Sequence, residues 1–170
     1  MQPEAKFQRL FEECVECCAD SLYRVAFRLT GNQTLASELV QETYLSARKS
    51  IDSLRDPQAM RAWMFSILRN QYTKLLRKEK RSVTTVEHLD DFSKPKTNKN
   101  DAIDRVQAAV ATLDDKHKLP ILFVSLEGMT VEEAAKALDV PRGTVLSRLH
   151  RGRQKLKEIL GREQTGIEKI

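Results

Sequence analysis

Thr130-Val-Glu-Glu-Ala-Ala-Lys-Ala-Leu-Asp-Val-Pro-Arg-Gly-Thr-Val-Leu-Ser-Arg-Leu-His-Arg-Gly-Arg-Gln-Lys-Leu156 carries two helical patterns separated by a short break. Thr130 and Glu133 stand three apart, the spacing of a capping box that starts a helix. Ala134, Ala135 and Leu138 give that helix a packing face. Pro141 opens a second helix, where Val145, Leu149 and Leu156 point inward. Thr144, Ser147, Arg148 and Arg151 fall at i, i+3, i+4 and i+7, so they share the opposite, exposed face. Two short helices across a tight turn, the second rich in positive charge, form a helix-turn-helix. That motif sets its second helix in the major groove of DNA.

The rest of the chain agrees with a helical protein. Its 170 residues make one domain or two small ones. Leu, Ala, Lys, Arg and Glu dominate, and aromatics, Gly and Pro are sparse. The net charge of +5 is modest but clustered. Lys74, Arg77, Lys78, Lys80 and Arg81 form one basic group. Arg142, Arg148, Arg151, Arg153, Lys155 and Lys157 form another. Clustering of one sign points to a polyanionic partner. Met1 to Leu10 hold no signal-peptide core, and no run approaches the roughly 20 apolar residues of a membrane span. A soluble, cytoplasmic chain without membrane insertion is expected.

Working back from the helix-turn-helix, Ile103, Val106, Val110 and Leu113 predict one amphipathic helix. Leu119, Leu122, Phe123 and Leu126 predict the next, stopped by Gly128. From the other end, Leu22, Val25, Ala26 and Leu29 predict a helix over about Glu4 to Leu29, with a break allowed. Gly31 ends it, and Asn32 or Thr34 caps the next. That second helix carries Ala36, Leu39, Val40, Thr43, Tyr44 and Ala47 on its inner face, and Glu38, Gln41 and Glu42 outside. Asp52 to Pro57 is a loop. Asp56 caps a third helix from about Pro57 to Arg81, with Trp63, Met64, Ile67, Leu68, Leu75 and Leu76 inward. Ser82 to Asp101 is polar, charged and without helical period, the composition of a linker. The expected fold is all-α: two small helical bundles joined by a flexible linker. The expected boundaries are 1–81, 82–101 and 102–162, with a tail at 163–170.

No phosphate-cradling Gly-rich loop, nucleophile elbow, zinc-protease motif or calcium loop is present, and each of His88, His117 and His150 is isolated. No constellation supports an enzyme, a cofactor or a metal. Cys14, Cys17 and Cys18 are odd in number and share one helix face. They are read as small core residues rather than as a metal site or redox sensor.

Leu22-Tyr-Arg-Val-Ala-Phe-Arg-Leu-Thr-Gly31, Glu38-Leu-Val-Gln-Glu-Thr-Tyr-Leu-Ser-Ala47 and Arg61-Ala-Trp-Met-Phe-Ser-Ile-Leu-Arg-Asn70 resemble the N-terminal domain of bacterial sigma factors of the extracytoplasmic-function group. Leu126-Glu-Gly-Met-Thr-Val-Glu-Glu-Ala-Ala135 and Val140 to Arg153 resemble their C-terminal domain. The resemblance implies an alternative sigma factor, which binds RNA polymerase core, directs it to specific promoters and promotes initiation. Glu38, Gln41, Glu42 and Leu45 would dock on the β′ clamp helices, with the β flap as a further polymerase partner. Ser53, Arg55 and Asp56 would form the loop that captures a flipped base of the −10 element. Arg61, Asn70, Lys74 and Arg77 would follow the melted strand. Trp63 is assigned to the core rather than to stacking on DNA. Ser147, His150 and Arg151 would read base edges of the −35 element, while Thr144 and Arg148 position on phosphates. Leu146 departs from the basic residue that many members carry there. The family is often held inactive by an anti-sigma factor, and no residue of this chain identifies one.

The linker passes a reach test. The two promoter elements lie about 25 base pairs apart, about 85 Å of duplex. A single globule of this length would be only about 40 Å across, whereas an extended linker of this size adds up to about 66 Å. The competing reading is a stand-alone helix-turn-helix regulator with an N-terminal helical sensor domain. It leaves the acidic second helix and the basic third helix without a task.

Overall fold

The structure is a computed structural model that describes residues 3–83 and 102–167, and every regular element among them is helical. In chain order these are α1 (Pro3–Thr30), α2 (Gln33–Ser50), α3 (Met60–Val83), α4 (Ala102–Ala111), α5 (Asp115–Pro120), α6 (Val131–Leu138) and α7 (Arg142–Ile167). Short 3₁₀ turns at Ile51–Ser53 and Pro57–Ala59 lie between α2 and α3. The helices gather into two compact units, one built on α1 to α3 and one chiefly on the helices that follow. The expected linker falls almost wholly on residues outside the described ones. α7 continues to Ile167, through part of what was expected to be a tail.

In the first unit, Leu22, Val25, Met64, Phe65 and Leu68 are fully buried where the three helices meet. α1 runs without the allowed break and ends at Gly31, whose φ of 65° suits a residue without Cβ. The Gly31 N–H donates to Phe27 O at 2.7 Å. Asn32 then caps α2, its side chain accepting from the Leu35 N–H at 3.1 Å. Gln71 Nε2 donates to Ser46 Oγ at 2.6 Å and fixes α3 against α2. Tyr44 Oη is buried without a hydrogen-bond partner among the described residues.

Two expectations for this unit need correction. Cys14 and Cys18 are buried, but Cys17 is exposed. At 100° per residue Cys17 stands off the stripe that carries Cys14, Cys18 and Leu22. Trp63 is only half-buried; Phe65, Ala62 and Tyr72 fill the core instead. Trp63 is one residue off that core and stands seven residues before Asn70, on the polar edge of α3.

In the second unit, Leu122, Phe123 and Val145 are fully buried, with Ala134 and Leu149 also in the core. α5 contains Pro120, which donates no backbone hydrogen bond and crowds the turn before it. The chain then widens into a π-helical turn over Ile121–Leu126, where the Glu127 N–H reaches Leu122 O at 3.0 Å. That extra residue per turn changes the register. Leu126, expected inside, is exposed at 43%, while Glu127 is buried. Val106, also expected inside, is exposed at 44%: it lies one turn ahead of the covered residues Ala109, Val110 and Leu113.

Candidate functional site

The turn between α6 and α7 is built by local chemistry. Glu133 accepts from the Thr130 N–H at 2.7 Å, and the Glu133 N–H donates to Thr130 Oγ1 at 3.1 Å. This is the reciprocal capping box read in the sequence. α6 ends in a Schellman arrangement: Asp139 N–H to Lys136 O at 3.3 Å and Val140 N–H to Ala135 O at 3.1 Å. Asp139 occupies the left-handed region with φ 52°, which Asp tolerates better than most residues. Pro141 O then accepts from the Thr144 and Val145 N–H groups, so Pro141 starts α7 as expected.

On α7, Ser147, His150 and Arg151 are exposed, and Thr144 and Arg148 are half-buried. Leu146 lies beside them, exposed at 47%. The structure divides the basic cluster. Arg142 Nε pairs with Glu132 Oε1 at 3.0 Å across the helix-turn-helix. Arg153 Nη2 donates to Ser125 Oγ at 3.1 Å, and Lys155 Nζ lies 3.7 Å from Asp114 Oδ2. Arg148, Arg151 and Lys157 keep no such partner among the described residues. A basic side chain without an internal partner is the kind that meets phosphate or base. The cations that brace α7 against the rest of the unit were not separable in the sequence, because spacing alone does not show what lies behind a helix.

Beneath α7, Asp114 caps α5 and its carboxylate pairs with Nδ1 of His117, a residue otherwise buried. Lys155 Nζ approaches the same ring nitrogen at 3.4 Å. Burial pulls the Asp114 carboxyl up, but the hydrogen bond and charge of His117, with Lys155 and Lys116, outweigh it and hold the group below its ordinary value. A depressed carboxyl binds fewer protons folded than unfolded. Its contribution is present above the unfolded value near ~4 and is lost as pH falls through the folded value. The second unit therefore loses stability on acidification below about pH 4. Asp114→Asn is expected to flatten that part of the profile, measured as unfolding free energy against pH; an unchanged slope would remove Asp114 from the account.

In the first unit, Glu38, Gln41, Glu42 and Leu45 lie at i, i+3, i+4 and i+7 on α2, all exposed, with Leu45 at 53%. Ala36, Leu39, Thr43 and Ala47 occupy the buried face of the same helix. Glu38, Gln41 and Glu42 side chains make no hydrogen bond or ion pair among the described residues. An apolar side chain flanked by unpaired carboxylates and an amide is suited to a basic partner helix.

The loop before α3 presents Ser53, Arg55 and Asp56 to solvent. Ser53 Oγ donates to Ser50 O at 2.6 Å, and Asp56 Oδ1 accepts from the Gln58 N–H at 2.9 Å as the expected cap. On α3, Asn70, Lys74 and Arg77 are exposed along one line, and half-buried Trp63 heads that line. Asn70 Oδ1 accepts from Arg69 Nη2 at 2.8 Å. Arg61 is half-buried, its guanidinium 6.0 Å from the centre of the Phe65 ring. Among the described residues no three His, Cys, Asp or Glu side chains form a metal cage, and no helix is long and apolar enough to cross a membrane.

Comparison with known proteins meets this geometry. Residues 14–82 match Sigma-70 region 2, and residues 103–156 match Sigma-70, region 4. The chain is 31% identical over 91% of its length to the ECF RNA polymerase sigma factor SigE of Mycolicibacterium smegmatis, and spans 63% of that protein. It is 34% identical over 82% of its length to the ECF RNA polymerase sigma factor EcfG of Rhodopseudomonas palustris, and spans 79% of it. The fold is similar to the sigma factor RpoE in its complex with the anti-sigma factor NepR from Bartonella quintana. That match has a TM-score of 0.77 and 27% identity, and covers 89% of this chain and 96% of that one. The chain belongs to the sigma-70 family of RNA polymerase sigma factors, in its extracytoplasmic-function group. Members of this family are not enzymes; they direct RNA polymerase to promoters. A region 2 in front of the helix-turn-helix sets aside the stand-alone regulator.

Proposed function

We propose that this chain is an alternative sigma factor that works from the cytoplasm, with polymerase docking and −10 recognition in residues 1–81, a linker at 82–101 and −35 recognition in 102–162. One observation carries the reading: two separate units each expose an unpaired polar face suited to a different macromolecule. On α2, Glu38, Gln41, Glu42 and Leu45 bind the β′ clamp helices of core polymerase; the β flap is a second point of contact. Ser53, Arg55 and Asp56 receive a base flipped from the −10 duplex. Unstacking costs a few kcal/mol, offset by pocket contacts and by Arg61, Asn70, Lys74 and Arg77 along the strand. The half-buried Trp63 ring, on the edge of that line, offers a stacking surface.

On α7, Ser147, His150 and Arg151 read −35 base edges, and Thr144 and Arg148 hold the backbone. Leu146 supplies an apolar contact suited to a thymine methyl. The solved RpoE is bound to the anti-sigma factor NepR, and the solved CnrH to the cytosolic domain of CnrY. An anti-sigma factor is accordingly a proposed partner here. Run-off transcription of genomic DNA, with core polymerase and with or without the chain, tests the whole reading. New start sites that depend on the chain are expected; identical transcripts in both reactions would end it. Arg151→Ala is expected to cost about 1–3 kcal/mol at a single −35 position. A loss spread evenly over all sequences would make Arg151 a phosphate contact instead.

A further inference from the structure

Where α1 meets the first residue of α3, beside Arg61, Cys17 Sγ stands near two further sulfur atoms. Cys17 Sγ lies 3.2 Å from Cys18 Sγ and 3.9 Å from Met60 Sδ. All the cysteines are free. Cys17 is exposed and gives the group an aqueous entrance, while Cys18 and Met60 are buried behind it at 1% and 9% exposure. Two thiols and a thioether are a donor set that soft cations favour and hard ones do not.

We propose that Cys17, Cys18 and Met60 form a binding site for the soft monovalent cation Cu(I), held by two thiolates and one thioether. The pair of cysteines is not a disulfide in waiting. Adjacent Cα atoms stand about 3.8 Å apart, below the roughly 4.4–6.8 Å that disulfides span. A single ion between the sulfurs meets no such limit. With metal–sulfur bonds of about 2.3 Å, trigonal coordination asks for sulfurs about 4.0 Å apart. The Cys17–Met60 separation already meets this. The Cys17–Cys18 pair, at 3.2 Å, would have to widen on loading, by a turn of the exposed Cys17 side chain. Zinc is disfavoured: it takes four nitrogen, sulfur-anion or oxygen ligands, and no third His, Cys, Asp or Glu completes a cage here among the described residues.

Charge balance also fits. One Cu(I) with two thiolates carries one negative charge, and Arg61 is close enough to act electrostatically on Cys18. Burial foremost, then Cys17, pushes the Cys18 thiol up to about 12. Cys14 stays outside the set. Its buried thiol is raised to about 11, by burial first and then by Cys17 and Glu13. A bound ion would tie α1 to the start of α3 and stiffen the first unit.

The test uses the full chain, reduced and under nitrogen, with Cu(I) titrated in competition with bicinchoninate. One Cu(I) per chain is expected, together with a rise in the Tm of the first unit. Cys17→Ser and Met60→Leu should each weaken binding at least about tenfold and abolish the Tm rise. Cys17 is exposed and Met→Leu conserves volume, so both variants should fold. Zinc under the same conditions should not be retained. A Cys17→Ser chain that holds copper as tightly as the parent overturns the site. So does a parent chain that yields all its copper to bicinchoninate, or one that retains zinc at equal stoichiometry.

Discussion

Gly152→Val is expected to destabilise the second unit by about 3 kcal/mol, near the upper end for overpacking a close-packed interior. Gly152 is buried where α7 crosses α5 and the π-helical turn. A Cβ placed there would stand 2.6 Å from Ile121 Cδ1 and 3.4 Å from both Cβ and the carbonyl oxygen of His117. The Ile121 contact involves the tip of a flexible side chain, which can swing away. For alanine that movement is offset by roughly 1 kcal/mol of helix propensity, so Gly152→Ala should stay near the parent. Valine adds two γ-carbons, and one of them is driven toward the His117 backbone, which cannot move without breaking the Asp114 cap. Urea unfolding of the second unit reads the difference, and −35 duplex binding should fall with it while polymerase affinity through the first unit persists. A valine variant that unfolds with the parent would mean that α7 does not sit as tightly on α5 as the distances state.

Gln41→Ala combined with Glu42→Ala is expected to weaken binding to core polymerase by about 30-fold or more, the scale of an interface hot spot. Both side chains are exposed and without internal partners among the described residues, so the loss is not a folding defect. Alanine is a better helix former than either residue, and the Tm should hold or rise slightly. Binding of −35 duplex should be untouched. Pull-down of core polymerase at matched concentrations reads the effect. Undiminished co-purification would remove α2 from the docking surface and leave its unpaired acidic face unexplained.

Much of this was legible in the sequence because its signals are local. Thr130 with Glu133, Asp56 before Pro57, and Gly31 before Asn32 each report a backbone requirement within one turn, and the structure meets all three. The exposed stripe on α2 followed from helical period alone, and on α7 the period found Ser147 and Arg151 but not that Thr144 and Arg148 are half-buried. What escaped depends on atoms distant in the chain or on a change of period. The turn after Pro120 takes a π-helical repeat, so Leu126 and Glu127 exchange the positions that a 3.6-residue period assigns. Gly152 looks like a surface glycine in a basic run until Ile121 is brought against it. Trp63 reads as core by its helical position, yet α3 has enough buried bulk in Phe65, Met64 and Tyr72 to leave it half-buried. Residue-level roles in recognition came from the family resemblance, since no helical pattern says which exposed arginine meets a base.

With Arg142 and Lys155 paired to Glu132 and Asp114, and Arg153 tethered to Ser125, α7 has fewer free cations to displace the duplex's ion atmosphere than its sequence counts. Each phosphate neutralised contributes about 0.9 to the slope of affinity against salt, so the second unit on its own should grip DNA loosely and lose that grip only gently as salt rises. A loose grip suits a unit that shares its chain with another. Once one unit is anchored, the other searches at high effective concentration, and two weak attachments hold where neither would alone. Release of the anchor should then be enough to let the protein leave the promoter.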